Sequence, residues 1–187
     1  LEQTNTLDKV FNFTSLLIDH NVLPPVLESG NQVLDAPNAE TFRVADKTYT
    51  ILQQARFVTT APNWRSYLLM NFKQPELPDF TLLPKNESER VIWRRYIQKG
   101  WKNGIEQANT IYQRNLARLK RDYDGMLLYQ KLLTKNMVSK PIVATTRLGV
   151  TSADGNSQMS INDKILRITA LPKLNPEAQT WKANLGS

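Results

Sequence analysis

The chain of 187 residues contains no cysteine. That absence removes disulfides, thiol nucleophiles and thiolate metal sites together, and leaves the compartment open. Histidine occurs once, as His20. Histidine-pair zinc sites are therefore excluded, and any Ser-His-Asp arrangement would have to use that one residue. No apolar run reaches the roughly eighteen residues of a membrane-spanning helix. Phosphate loops, nucleophile elbows, paired metal ligands and dinucleotide fingerprints are all missing. Two carboxylates could still serve a glycosidase without a motif, but nothing selects a pair. The expectation is a protein that is not an enzyme, with no cofactor and no metal.

What is present is ordinary for a globular protein: 41% hydrophobic and 22% charged residues. The patterning predicts an α+β fold, with helices packed against short antiparallel hairpins, as one domain over residues 1–187. Proline is absent between Pro84 and Pro141. Within that gap, NESERVIWRRYIQKGWKNGIEQANTIYQRNLARLKRDY (residues 86–123) reads as one long amphipathic helix spanning roughly 50 Å. Asn86 suits the N-cap, Glu89 the reciprocal position of a capping box, and Glu87 the positive end of the dipole. At 3.6 residues per turn Trp93, Ile97, Gly100, Trp101, Gly104, Ile105, Ala108, Ile111, Leu116 and Leu119 share a face. Gly100 and Gly104, flanked by Trp93 and Trp101, predict close packing inside the core, since glycine in a helix costs about 1 kcal/mol against alanine.

The opposite face carries Arg95, Lys99, Lys102, Arg114, Arg118 and Arg121. Nine basic residues and one acidic residue lie between Arg90 and Arg121, while the whole chain carries +7, so this segment holds the net positive charge. A solvated face is the default meaning of such a stripe, with an acidic protein partner next. Nucleic acid is the least favoured, because the aromatics fall on the other face.

Elsewhere, residues 6–21 read as a helix capped by Thr6 and stopped by Pro24-Pro25, with His20 as a surface residue in its last turn. Residues 28–38 read as irregular, and TFRVADKTYTI as a short hairpin turning at Ala45-Asp46-Lys47. Tyr67 to Phe72 reads as a buried strand. Residues 73–85 form a proline-rich connection held down by Leu77, Phe80, Leu82 and Leu83. Asp124-Gly125 predicts a break before a second helix that Pro141 ends. A meander follows, with turns at residues 153–156 and 162–164, then a tail over residues 181–187. R-V-A-D-K-T-Y-T-I and S-I-N-D-K-I-L-R-I resemble each other, as two hairpins of shared turn chemistry would.

Taken as phrases, FNFTSLLIDHNVLPPVL, RFVTTAPNWRSYLLM, WKNGIEQANTIYQRNLARLKRDYDGMLLYQKLLTKNMVS and INDKILRITALPKLN resemble the DotC family, called TraI in I-type conjugative plasmids. The likeness runs in order over nearly the whole chain. It implies a structural lipoprotein of a type IVB secretion or conjugation system, on the periplasmic side of the outer membrane. It also implies partners: DotH-like and DotD-like core-complex proteins, in a multi-copy ring assembly. The lipid-bearing cysteine, the signal peptide and a C-terminal extension are not in this sequence, which begins at Leu1 and is expected to be a processed or trimmed chain. The resemblance carries over no catalytic residue. A basic module contacting transferred DNA is the alternative function.

Overall fold

The computed structural model describes residues 2–38, 40–153, 155 and 157–182. Helices and antiparallel strands give the expected α+β composition. The chain divides into two compact units, residues 1–11 with 62–120 and residues 12–61 with 121–187.

The first unit holds helix α1 (Glu2–Val10), short helix α2 (Trp64–Leu68) and the opening part of helix α3 (Glu87–Thr134). Asn63 caps α2 by accepting from the Ser66 N–H at 3.1 Å. Asp8 ties α1 to α2. Its carboxylate accepts from Arg65 Nη1 at 2.6 Å and Nη2 at 3.1 Å, and from Trp64 Nε1 at 2.7 Å. The Arg65 bonds, then the Trp64 bond, hold the Asp8 carboxyl below its usual range. Arg65 also lies over the Trp64 ring, 4.4 Å from its centre. Residues 69–79 and 83–86 are irregular, with one 3-10 turn at Phe80–Leu82 capped by Asp79.

Among the described residues the second unit contains three two-stranded antiparallel sheets. Strand β1 (Val22–Leu23) pairs with β4 (Arg56–Phe57). Strand β2 (Val26–Asn38) pairs with β3 (Thr41–Gln53), and β5 (Ile142–Ala153) with β6 (Gln158–Ala170). Its core gathers Leu27, Tyr129, Leu132 and Val138, with Ile51, Leu128 and Leu174 packed against them. The Phe13 and Tyr123 rings meet edge to face at 5.2 Å. Asp122, buried at 5% exposure, is held by its neighbour Arg121 at 2.8 Å and by Gln53 Nε2 at 3.4 Å.

The long helix forms for the foreseen reason at its start. Asn86 Oδ1 accepts from the Glu89 N–H at 2.9 Å, and Glu89 reaches back to the Lys85 N–H at 2.7 Å. Its end differs. α3 continues through Asp124-Gly125 without a break, and the stop comes at Asn136 rather than Pro141. Asn136 is left-handed (φ 58°), and the Met137 N–H donates to the Leu132 carbonyl at 3.0 Å, closing a Schellman turn. Gly125 acts as a notch. A Cβ built there would lie 2.5 Å from Val26 Cγ1 and 2.7 Å from the Leu27 carbonyl oxygen.

Other expectations are corrected. The helix foreseen over residues 6–21 ends at Val10, and two 3-10 turns follow, with His20 exposed at φ 65° in the second. Residues 28–38 are not irregular but belong to β2; the chain reverses between Asn38 and Thr41, leaving Asp46 inside β3. Tyr67 to Phe72 is helix and then exposed chain, not a buried strand. Leu77 and Phe80 do not pin the connection down, being 93% and 88% exposed. The expected turn at residues 162–164 is a bulge within β6: Asn162 (φ 58°) and Gly149 (φ 80°) flank the register shifts, and Asp163 accepts from Thr151 Oγ1 at 2.7 Å. Of the expected tail, Trp181 Nε1 donates to the Asn175 carbonyl and the Lys182 N–H to that of Lys135, both at 2.9 Å. Residues 183–187, and Asp154 and Asn156 of the predicted turn, lie outside the described residues.

Two measurements test this packing. Gly125→Ala should cost about 1–3 kcal/mol, because backbone as well as a side chain must give way. Gly100→Ala and Gly104→Ala should instead gain about 1 kcal/mol each, as nothing lies within 4 Å of the added methyl. Denaturant melts of the three variants check the opposite signs. Burial pushes the Tyr129 hydroxyl up to about 12, while its O–H donates to the Ser139 carbonyl at 3.2 Å. Its folded pKa is above the unfolded value of about 10, so this contribution is intact below that pH and is lost as pH rises towards 12. Urea melts from about pH 9 to about pH 11 should show a steeper alkaline loss in wild type than in Tyr129→Phe, by up to about 1.4 kcal/mol per pH unit.

Candidate partner-binding face

The apolar side of α3 was expected to be core along its whole length. Burial is found only in its later turns. Leu119, Met126 and Tyr129 are at 2% exposure or less, whereas Trp101 is 73% exposed, and Ile97, Ile105 and Tyr112 lie near half. The close packing expected at Gly100 and Gly104 is absent among the described residues: a Cβ at either would meet nothing within 4 Å. Trp93 is half-buried. The periodicity marked a face that needs covering, and this chain covers only part of it.

Two grooves score the first unit beside this bare stretch. One, of about 430 Å³, is lined by Leu68, Met70, Phe72, Gly104, Ile111 and Tyr112, among others. Gln107 and Asn115 supply its polar atoms, and Asn115 Nδ2 donates to Met70 Sδ at 3.3 Å. The other, of about 440 Å³, lies against Ile92, Trp93 and Tyr96, with Leu82 and Pro84 opposite.

The six basic residues of the stripe fall into two groups. Arg118 lies over the Tyr67 ring at 5.1 Å, Lys102 sits 3.9 Å from Glu106, and Arg121 neutralises Asp122. Those three serve the fold in part. Arg95, Lys99 and Arg114 are exposed and form no ion pair among the described residues. Near the helix start, Arg90 and Arg94 approach Glu87 at 3.5 and 3.7 Å. Of the aromatics foreseen as buried away from the stripe, Trp101 is bare, and Tyr96, which was not placed on that face, is 65% exposed one residue from Arg95.

Sequence reasoning missed the exposed chain of residues 69–83, where Leu69, Phe72, Leu77, Phe80 and Leu82 are bare. The signal was available, since Pro75 and Pro78 in that stretch and Pro84 just after it forbid the strand or helix that would have buried them. Among the described residues no group of three or more His, Asp or Glu side chains could hold a metal ion, and no helix is long and apolar enough to cross a membrane.

Exposed apolar side chains thus alternate on this helix with cations that have no ion pair among the described residues. The chain matches the family described as "Type IV secretory system, conjugal DNA-protein transfer" over residues 1–183, and it belongs to that family. It is a component of a type IV secretion or conjugation system. No curated protein matches it.

Proposed function

We propose that this chain is a structural, non-catalytic subunit of the outer-membrane core of its transfer system, and that it helps place a DotH-like channel protein at the outer membrane together with a DotD-like lipoprotein. Family membership over residues 1–183 carries this assignment. The bare turns of α3 support it, because a subunit built into a larger assembly keeps part of its apolar surface for its neighbours. In the full-length protein an N-terminal lipid provides the anchor, and several copies share the assembly. Deleting the gene in donor cells should displace the channel protein from the outer-membrane fraction and abolish transfer, with both restored by a plasmid copy. Normal placement and transfer after deletion would refute the scaffold role. Reversing Arg95, Lys99 and Arg114 to glutamate should weaken recovery of the core complex while leaving the melting temperature unchanged. If assembly and transfer are unaffected, the stripe is only a solvated face.

One observation favours a second function, contact with the transferred DNA: Trp101 and Tyr96 are bare on the helix that carries the unpaired Arg95 and Lys99. Single strands are held by such combinations of stacking and charge. Titration with single-stranded DNA at about 150 mM salt should then show binding tighter than that of a size-matched basic control, falling steeply as salt rises. Binding equal to the control discards this function.

A further inference from the structure

The first turns of α3 and the chain of residues 69–83 present more than a charged stripe. We infer that they form a docking site for an acidic segment of a partner protein, one that seats a large apolar side chain in the groove over Gly104. The inference rests on the scaffold role and names the chemistry of the neighbour.

Three observations select that occupant. First, the groove of about 430 Å³ is apolar along Leu68, Met70, Phe72, Ile111 and Tyr112, with Gly104 giving it depth. That volume fits one or two large side chains. Second, the surroundings are both apolar and basic. Trp101 and Ile105 lie bare next to Gly104, and Arg114 and Arg118 follow on the same helix. Third, the charge is one-sided. Of the nine basic residues from Arg90 to Arg121, Arg90 and Arg94 meet Glu87, Lys102 meets Glu106 and Arg121 meets Asp122, which leaves cations in excess. A partner segment seated in the groove and carrying Asp or Glu completes an ion pair with Arg114, which this chain leaves open among the described residues, while the field of Arg95 and Lys99 on the other side of the helix steers it from a distance.

The alternatives fit less well. A second copy would bring the same excess of positive charge against itself, a repulsion that grows as the face is desolvated. A lipid surface needs the apolar groups on one side of the helix. At 100° per residue Ile92 and Tyr96 lie about 180° round from Trp101 and Ile105, and all four are exposed. A flat bilayer covers one side, whereas protein segments can reach both. Nucleic acid offers bases for Trp101 and Tyr96, yet leaves Val91, Ile92, Ile97 and Ile105 unmatched, and such interfaces are more polar than this one.

The test uses the full-length protein in donor cells with the whole transfer apparatus. A photo-reactive amino acid replaces Trp101 in one strain and Ile105 in another, and Phe42 of β3 in a third as a reference for surface capture. Mass spectrometry then identifies the linked peptide. The expected product at residues 101 and 105 is one protein of the apparatus, linked through a peptide with more Asp and Glu than Lys and Arg. Gly104→Leu, which fills the groove, should abolish that product without lowering the melting temperature. Trp101→Ala should weaken association of the purified pair by about 30-fold or more, as expected of a buried tryptophan anchor, and added salt should weaken it further.

A product joined to a second copy, to nuclease-sensitive material or to lipid overturns the inference. So does a linked peptide without acidic excess, or no product at 101 and 105 from a strain that transfers normally. The scaffold role is judged separately, by the deletion strain. If transfer needs the gene but the links go elsewhere, only this docking site fails.

Discussion

Where β2 begins, Val26 and Leu27 cross the backbone of α3 at Gly125, closer than any side chain at that position would allow. The second unit depends on that contact. It brings Leu27 into the cluster with Tyr129, Leu132 and Val138, and the start of β2 fixes where β3 must pair. The buried Asp122 lies one turn earlier, satisfied by Gln53 at the end of β3 and by Arg121. A missing methyl group thus sets the packing distance, and the polar network beside it is completed by residues 69 positions apart.

The parts of the fold legible in sequence were those set by local chemistry. Asn86 and Glu89 announce a helix start because the cap is made by side chains three residues apart. The proline-free stretch allowed the length. The long hairpins were legible only in part: strands on either side of residues 153–156 were foreseen and are β5 and β6, whereas β2 was read as irregular, because strand prediction relies on one wet and one dry face. In β2–β3 and β5–β6 the outer residues of both faces are exposed, so no alternation exists to find; Leu34, Phe42, Val150 and Ile161 are all bare. The Asx signal at Asn162 was real, and pairing with β5 turned a potential turn into a bulge. The break expected at Gly125 failed for a related reason. Helix propensity is a small term, and a close tertiary contact outweighs it.

The candidate site was legible in composition and misplaced in space. Hydrophobic periodicity says that a face is to be covered and is silent on whether the cover comes from the same chain. Trp101 and Leu119 satisfy the same pattern; one is 73% exposed and the other fully buried. Only coordinates could separate them. The basic residues were likewise visible, but Arg118 over Tyr67 and Arg121 on Asp122 are partly spent within the fold. Arg95, Lys99 and Arg114 remain exposed without an ion pair among the described residues.

The two hairpins bear on how this protein must be handled. Among the described residues each of β2, β3, β5 and β6 pairs with a strand on one side only, which leaves backbone donors and acceptors along the other edge. An isolated two-stranded ribbon is marginal in water. Purified alone, the chain therefore has ribbons that open and close more readily than its core, and it offers strand edges to other molecules as concentration rises. A partner strand laid along those edges would bind the folded ribbon and not the open one, and so would raise the apparent stability by mass action. The durability of this subunit would then be a property of the company it keeps.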